Sequence, residues 1–144
     1  MDTENLLRSL NAHNVEYVII GATAFPVHGY ARATLDIDLF IRPDPENASR
    51  THRALKDFGY DVADIDHEDL LTNKVLIRQY LVETDIHPFV TGISFDQVWE
   101  NRVAGRYGSE EVYYASLDDL IIMKKAAGRS KDLEDLRILE SLKK

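Results

Sequence analysis

Apolar positions recur along the chain in two rhythms. Leu6, Leu7 and Leu10 fall on one side of a helical segment over residues 5–10. Residues 16–20, Glu-Tyr-Val-Ile-Ile, read as a short apolar strand that runs straight into Gly21. Residues 22–28 read as a short helix closed by Gly29. A second strand covers 36–41. Pro43 and Pro45 then punctuate, and Pro45 suits the first turn of a helix over 46–58 that Gly59 ends. Asp66 is placed to cap a short helix through 71. Residues 75–90 are strand-like with a break near Gln79. Ser94 caps a helix containing Val98 and Trp99. Residues 103–107 and 112–115 form a hairpin around Gly108 and Ser109. Ser116 with Asp119 resembles a capping box, opening a helix to about 127 that Gly128 closes. A last helix runs from 131 to near the C-terminus. This order predicts an α+β (mixed α/β) fold, with one central mixed sheet flanked by helices.

The run Leu35-Asp36-Ile37-Asp38-Leu39-Phe40-Ile41 is the most informative segment. In a strand, Asp36 and Asp38 share one face, and Leu35, Ile37, Leu39 and Ile41 the other. Two neighbouring anions repel, and burial makes each costlier, so a shared proton or a bound cation has to compensate. Hard divalent ions such as Mg²⁺ suit clustered carboxylate oxygens. The bland alternative is an edge strand with one wet face. Gly21, at a strand end, opens a helix whose N-terminus offers backbone N–H groups, and glycine permits close approach of a phosphate. Asp36 follows fifteen residues later, room for a short helix, a turn and an adjacent strand. That puts a phosphate cradle beside a metal site, as triphosphate chemistry needs. A tight strand-to-helix turn is the structural alternative for Gly21.

Composition narrows the classes. A chain of 144 residues predicts a single domain, 1–144, and 44% hydrophobic content is enough for a real core. With no cysteine there is no disulfide framework and no thiolate metal site. No apolar stretch reaches the ~20 residues of a membrane span, and the acidic N-terminus does not resemble a signal peptide. A soluble cytoplasmic protein is expected. The net charge of −8 disfavours broad binding to a nucleic-acid backbone.

Ile20-Gly21-Ala22-Thr23-Ala24-Phe25, then His28-Gly29-Tyr30, Arg32, Thr34 and Asp36-Ile37-Asp38, resembles the signature of the polymerase-β-like nucleotidyltransferase superfamily. That signature is a hydrophobic residue, Gly-Gly or Gly-Ser, a gap, and Asp-x-Asp or Asp-x-Glu. The C-terminal string Asp119-Leu120-Ile121, Lys124, Ala126-Ala127-Gly128-Arg129, Lys131-Asp132 and Asp135 is similar to the small bacterial stand-alone members associated with toxin–antitoxin and phage-defence loci. The resemblance extends over nearly the whole chain. Ala22 departs from the pattern and lacks the hydroxyl a serine would offer. The resemblance implies a nucleotidyltransferase fold with C-terminal helices, a nucleoside triphosphate such as ATP as substrate, and two Mg²⁺ ions held by Asp36 and Asp38. It also implies a third carboxylate on a later strand. In Val82-Glu83-Thr84-Asp85-Ile86-His87, alternation puts Glu83, Asp85 and His87 on one face. Asp85 is the chosen third ligand, and Glu83 is its rival.

The basic residues each have two readings. Leu117, Leu120, Ile121 and Lys124 share one helical stripe, so Lys124 reaches inward to a phosphate or to a structural carboxylate. Arg32 either binds triphosphate or is a solvated loop residue. Arg129 and Lys131 with Asp132 and Asp135 read as a salt-bridged helix junction; Thr34 and His28 read as structural. His87 is either a neighbour of the metal ligands or a hydrogen-bonded histidine. Gly21, Ala22, Arg32 and Lys124 are the expected nucleotide contacts, and Asp36, Asp38 and Asp85 the catalytic set. Three functions follow: an enzyme moving a nucleoside monophosphate to a hydroxyl on protein or RNA, a toxin acting on tRNA, or a non-catalytic antitoxin docking a partner. The tRNA reading needs a basic patch, for which Arg102, Arg106, Lys124, Lys125, Arg129 and Lys131 are the candidates.

Overall fold

Six strands build one mixed sheet in a computed structural model that describes residues 2–143. The two end residues of the expected 1–144 unit lie outside this range. The strands are β1 (Tyr17–Ile20), β2 (Asp36–Ile41), β3 (Val75–Gln79), β4 (Val82–His87), β5 (Val103–Tyr107) and β6 (Glu110–Tyr114). Their spatial order is β3-β4-β2-β1-β6-β5. β2 runs parallel to β4 and antiparallel to β1, β1 runs parallel to β6, and hairpins pair β3 with β4 and β5 with β6. The helices are α1 (Thr3–Ala12), α2 (Pro45–Phe58), α3 (Asp69–Thr72), α4 (Phe95–Glu100), α5 (Leu117–Ala127) and α6 (Leu133–Ser141). The α+β class expected from the sequence is the class observed.

Local chemistry sets these boundaries. The Asp44 side chain accepts the Asn47 N–H at the start of α2, Pro45 takes the first turn, and Gly59 closes the helix at φ 119°. Ser116 caps α5 by accepting the Asp119 N–H. Asn47 is buried and uses its side chain fully. It accepts the Glu16 N–H at 2.8 Å and donates to the carbonyls of Glu16 and Arg42 at 3.0 Å each. That knot ties the entry of β1 to the exit of β2.

All four residues of β1 are buried, because a central strand is covered on both faces. β2 alternates only at its start. Asp36 and Asp38 are half-buried, whereas Phe40 on the same face is sealed edge-on against Phe95 of α4, with ring centroids 5.3 Å apart. The two carboxylates therefore emerge where the cover over the sheet stops.

Several elements differ in detail from the sequence reading. Gly21–His28 winds as a 3₁₀ segment with Pro26 inside it. The helix after Asp66 begins only at Asp69, whose N–H donates to Asp66 Oδ1 at 2.9 Å. The 75–90 stretch breaks at Tyr80-Leu81 into the β3–β4 hairpin, and Tyr80 takes a left-handed φ of 59°. The last helix is preceded by a 3₁₀ turn at Ser130–Asp132. Among the described residues, no helix is long and apolar enough to cross a membrane.

Candidate active site

Strand pairing brings three parts of the chain to one point. Ile20 is the register partner of Asp38 across β1–β2, and Asp85 is its partner across β2–β4. Gly21 thus turns beside the Asp38 carboxylate. Its φ is +69°, and a Cβ there would collide with Asp38 Oδ2 and stand 3.1 Å from Cγ. Both the backbone angle and the space demand glycine. Asp38 Oδ1 accepts a hydrogen bond from His87 Nε2 at 2.9 Å. Asp36 Oδ1 accepts from Thr34 Oγ1 at 3.1 Å. Thr34 thereby orients a site residue, whereas His28 is structural, 2.8 Å from the Ala115 carbonyl.

Asp36, Asp38, Gly21, Ala22 and His87 line a cleft of about 520 Å³, a volume in the usual range for small-molecule sites. Its walls carry five cationic side chains, Arg32, Lys74, Lys124, Arg129 and Lys131, against three carboxylates, Asp36, Asp38 and Asp132. The local excess is positive in a chain of net charge −8. That combination favours an anionic ligand carrying a cation with it.

Three of the five cations are engaged. Lys124 Nζ lies 3.0 Å from Asp132 and 3.5 Å from Asp135, Arg129 Nε lies 2.6 Å from Asp132, and Arg32 Nε lies 3.1 Å from Asp135. Tyr30 donates to Asp135 at 2.7 Å and stacks on Phe25. Its hydroxyl pKa is raised chiefly by that hydrogen bond to Asp135. Of the helix junction read from the sequence, Arg129 pairs with Asp132 as expected, whereas Lys131 stays out of it and Lys124 and Arg32 join Asp132 and Asp135 instead. Lys74 and Lys131 pair with no carboxylate among the described residues and face the cleft unneutralised.

Burial raises the Asp132 pKa, but hydrogen bonds from Arg129 and Lys124 outweigh it and hold the group below the ordinary carboxylate value. A depressed folded-state pKa adds stability above the unfolded value of about 3.9, and the gain disappears as pH falls through the folded value. Asp132→Asn is therefore expected to cost about 3 kcal/mol at neutral pH. In urea unfolding across a pH series, the difference from the wild type should narrow below pH ~4. A constant difference down to acid pH would refute the ionic origin of the effect.

Asp85 sits differently. It is 6% exposed and does not line the cleft; Arg78 of β3 donates to its Oδ1 at 2.7 Å. Arg78 also lies 3.6 Å from Glu83 and 4.0 Å from Asp36. Among the described residues, no three Asp, Glu, His or Cys side chains converge closely enough to hold a metal ion. Asp36, Asp38, Glu83 and Asp85 share a face, but a guanidinium stands over part of it.

Arg78 and Lys74 escape sequence reading. Both needed the β3–β4 register, in which Arg78 pairs with Glu83 and Val75 pairs with Ile86. The break near Gln79 carried that information, since a two-residue turn there fixes the pairing. The expected basic patch is dispersed. Arg102 lies against the rings of Trp99 and Tyr113, Arg106 pairs with Glu111 and Lys125 with Glu140, while Lys124, Arg129 and Lys131 line the cleft.

A family model described as "Nucleotidyltransferase of unknown function (DUF6036)" matches residues 1–142. No curated protein matches the chain.

Proposed function

The chain belongs to that nucleotidyltransferase family, and from this premise we propose that it moves a nucleoside monophosphate from a nucleoside triphosphate to a hydroxyl on a protein or an RNA, with Mg²⁺. The observation that carries the reading is the pair of partly exposed carboxylates, Asp36 and Asp38, on one rigid strand in a cleft with a cationic excess. The donor set fits a hard divalent ion: both side chains are oxygen donors open to the cleft, and the absent Cβ of Gly21 leaves Asp38 its place. Asp36 and Asp38 would hold the ions, and Asp85 would join them once freed from Arg78. Two bound Mg²⁺ ions would neutralise phosphate charge and lower the pKa of the acceptor hydroxyl.

The chain's own groups supply the rest. His87 and Thr34 hold the Asp38 and Asp36 carboxylates in place. Gly21 and Ala22 present backbone at the opening of the 3₁₀ segment. Lys74 and Lys131 meet the phosphates first, since Arg32 and Lys124 have to be shared with Asp135 and Asp132. Phe89, at 72% exposure beside the cleft, offers a face on which a base stacks. The acceptor oxygen forms a bond to the α-phosphorus, the bond to the β-phosphate oxygen breaks, and pyrophosphate leaves. The acceptor proton passes to a carboxylate of the site.

The test is transfer of label from ATP, CTP, GTP and UTP, with Mg²⁺, to total cell RNA and cell protein. Label should appear on one fraction and vanish in the Asp36→Ala/Asp38→Ala protein. Unchanged labelling by that protein would end the reading. Lys74→Ala and Lys131→Ala are each expected to raise the triphosphate KM about tenfold, roughly 1.4 kcal/mol, with an unshifted melting temperature. An unchanged KM in both would remove them from the phosphate path.

A second reading, a cytoplasmic antitoxin or other binding module on the same fold, draws on one observation: Asp85 is engaged by Arg78. It predicts no Mg²⁺-dependent nucleotide binding in equilibrium dialysis. A toxin acting on tRNA would instead show label confined to the tRNA band and growth arrest on expression.

A further inference from the structure

Arg78 stands on β3 opposite Glu83, so its side chain shares the sheet face that carries Asp36, Asp38, Glu83 and Asp85. It lies 2.7 Å from Asp85 Oδ1, 3.6 Å from Glu83 Oε1 and 4.0 Å from Asp36 Oδ2. Its own charge is reinforced first by the hydrogen bond to Asp85. Asp85 is almost fully buried, and a buried carboxylate without a cation is costly. The Arg78 side chain is 42% exposed, so its guanidinium has a path from Asp85 to water.

We propose that Arg78 is a built-in counter-cation that competes with the divalent ion for the acidic face, holding Asp85 until an ion replaces it. This rests on the reading of Asp36 and Asp38 as ion ligands. The physical basis is exclusion between like charges: a divalent ion drawing on Asp36 and Asp85 needs the oxygens that Arg78 now satisfies. Each cation lowers the affinity for the other, and the coupling is reciprocal. Arg78 would thus hold Asp85 in position without an ion, and would set the ion concentration at which the site fills.

The test is Mn²⁺ binding to the nucleotide-free protein, followed by electron paramagnetic resonance. Arg78→Gln should bind Mn²⁺ about tenfold more tightly than the wild type. Arg78→Lys, which keeps the charge, should stay close to the wild type. Unchanged or weaker binding in Arg78→Gln, with binding lost in Asp38→Asn, would overturn the role of Arg78 and leave the ion site standing. Wild-type binding in Asp38→Asn would instead overturn the underlying reading of the ligands. Because Arg78→Gln strands a buried carboxylate, a second measurement uses the intact protein. The ¹⁵N–H resonance of Arg78 Nε, assigned by its loss in Arg78→Lys, should move during Mg²⁺ titration. A stationary resonance would overturn the proposal.

Discussion

Asp38→Asn is expected to lower nucleotide transfer by about 10³-fold, roughly 4 kcal/mol of transition-state stabilisation, while leaving the fold intact. Asparagine keeps the shape of the side chain and an oxygen that accepts from His87 Nε2, so the 2.9 Å contact survives. What is lost is one negative charge facing the cleft. In the proposed reaction that charge would hold the ion on which leaving-group stabilisation would depend, so the loss should appear in kcat as well as in KM for the metal. Asp36→Asn should behave alike, because Thr34 still finds an acceptor. The two substitutions together should cost scarcely more than either alone, as residues acting as a unit are not additive. Stability should hold or rise slightly in both, since one of two neighbouring like charges is removed. Transfer assays with thermal melts decide it: a loss under tenfold with a normal melt would exclude Asp38 from the chemistry.

The start of β2 was legible because its chemistry is local. Alternation placed Asp36 and Asp38 together, and the glycines and prolines around the 3₁₀ segment and α2 marked their ends. The Arg129–Asp132 pair of the junction was legible for the same reason, as the two lie three residues apart, but its second cation is Lys124 of the preceding helix and not the expected Lys131. The state of Asp85 was not legible. Strand alternation put it on the correct face, but its partner Arg78 belongs to another strand, and only the hairpin register sets them opposite. Phe40 shows the same limit. Alternation puts it on the carboxylate face, yet it is buried, because α4 packs over the sheet there through Phe95. Which positions on one face stay open depends on what covers the sheet. That cover comes from helices distant in sequence, to which a period of two is blind.

Gly21→Ala is the substitution expected to damage both stability and activity through a single methyl group. The residue sits at φ +69°, where an L side chain costs about 1–2 kcal/mol. The added Cβ would overlap Asp38 Oδ2, on a side chain whose other oxygen is held by His87. The carboxylate has to rotate, or the strand end has to shift, and either change moves the group that would hold the ion in the proposed reaction. Such misplacement costs about 10²-fold in rate. Asp38→Asn and Gly21→Ala should therefore separate cleanly: the first loses activity with a normal melting temperature, the second loses activity and melts early. In the double variant, the activity penalty of Gly21→Ala should largely vanish, because the group it displaces has already lost its charge. If Gly21→Ala lowered the melting temperature alone, with transfer and Mn²⁺ affinity intact, Gly21 would be a turn residue only, and the link from its missing side chain to Asp38 would be broken.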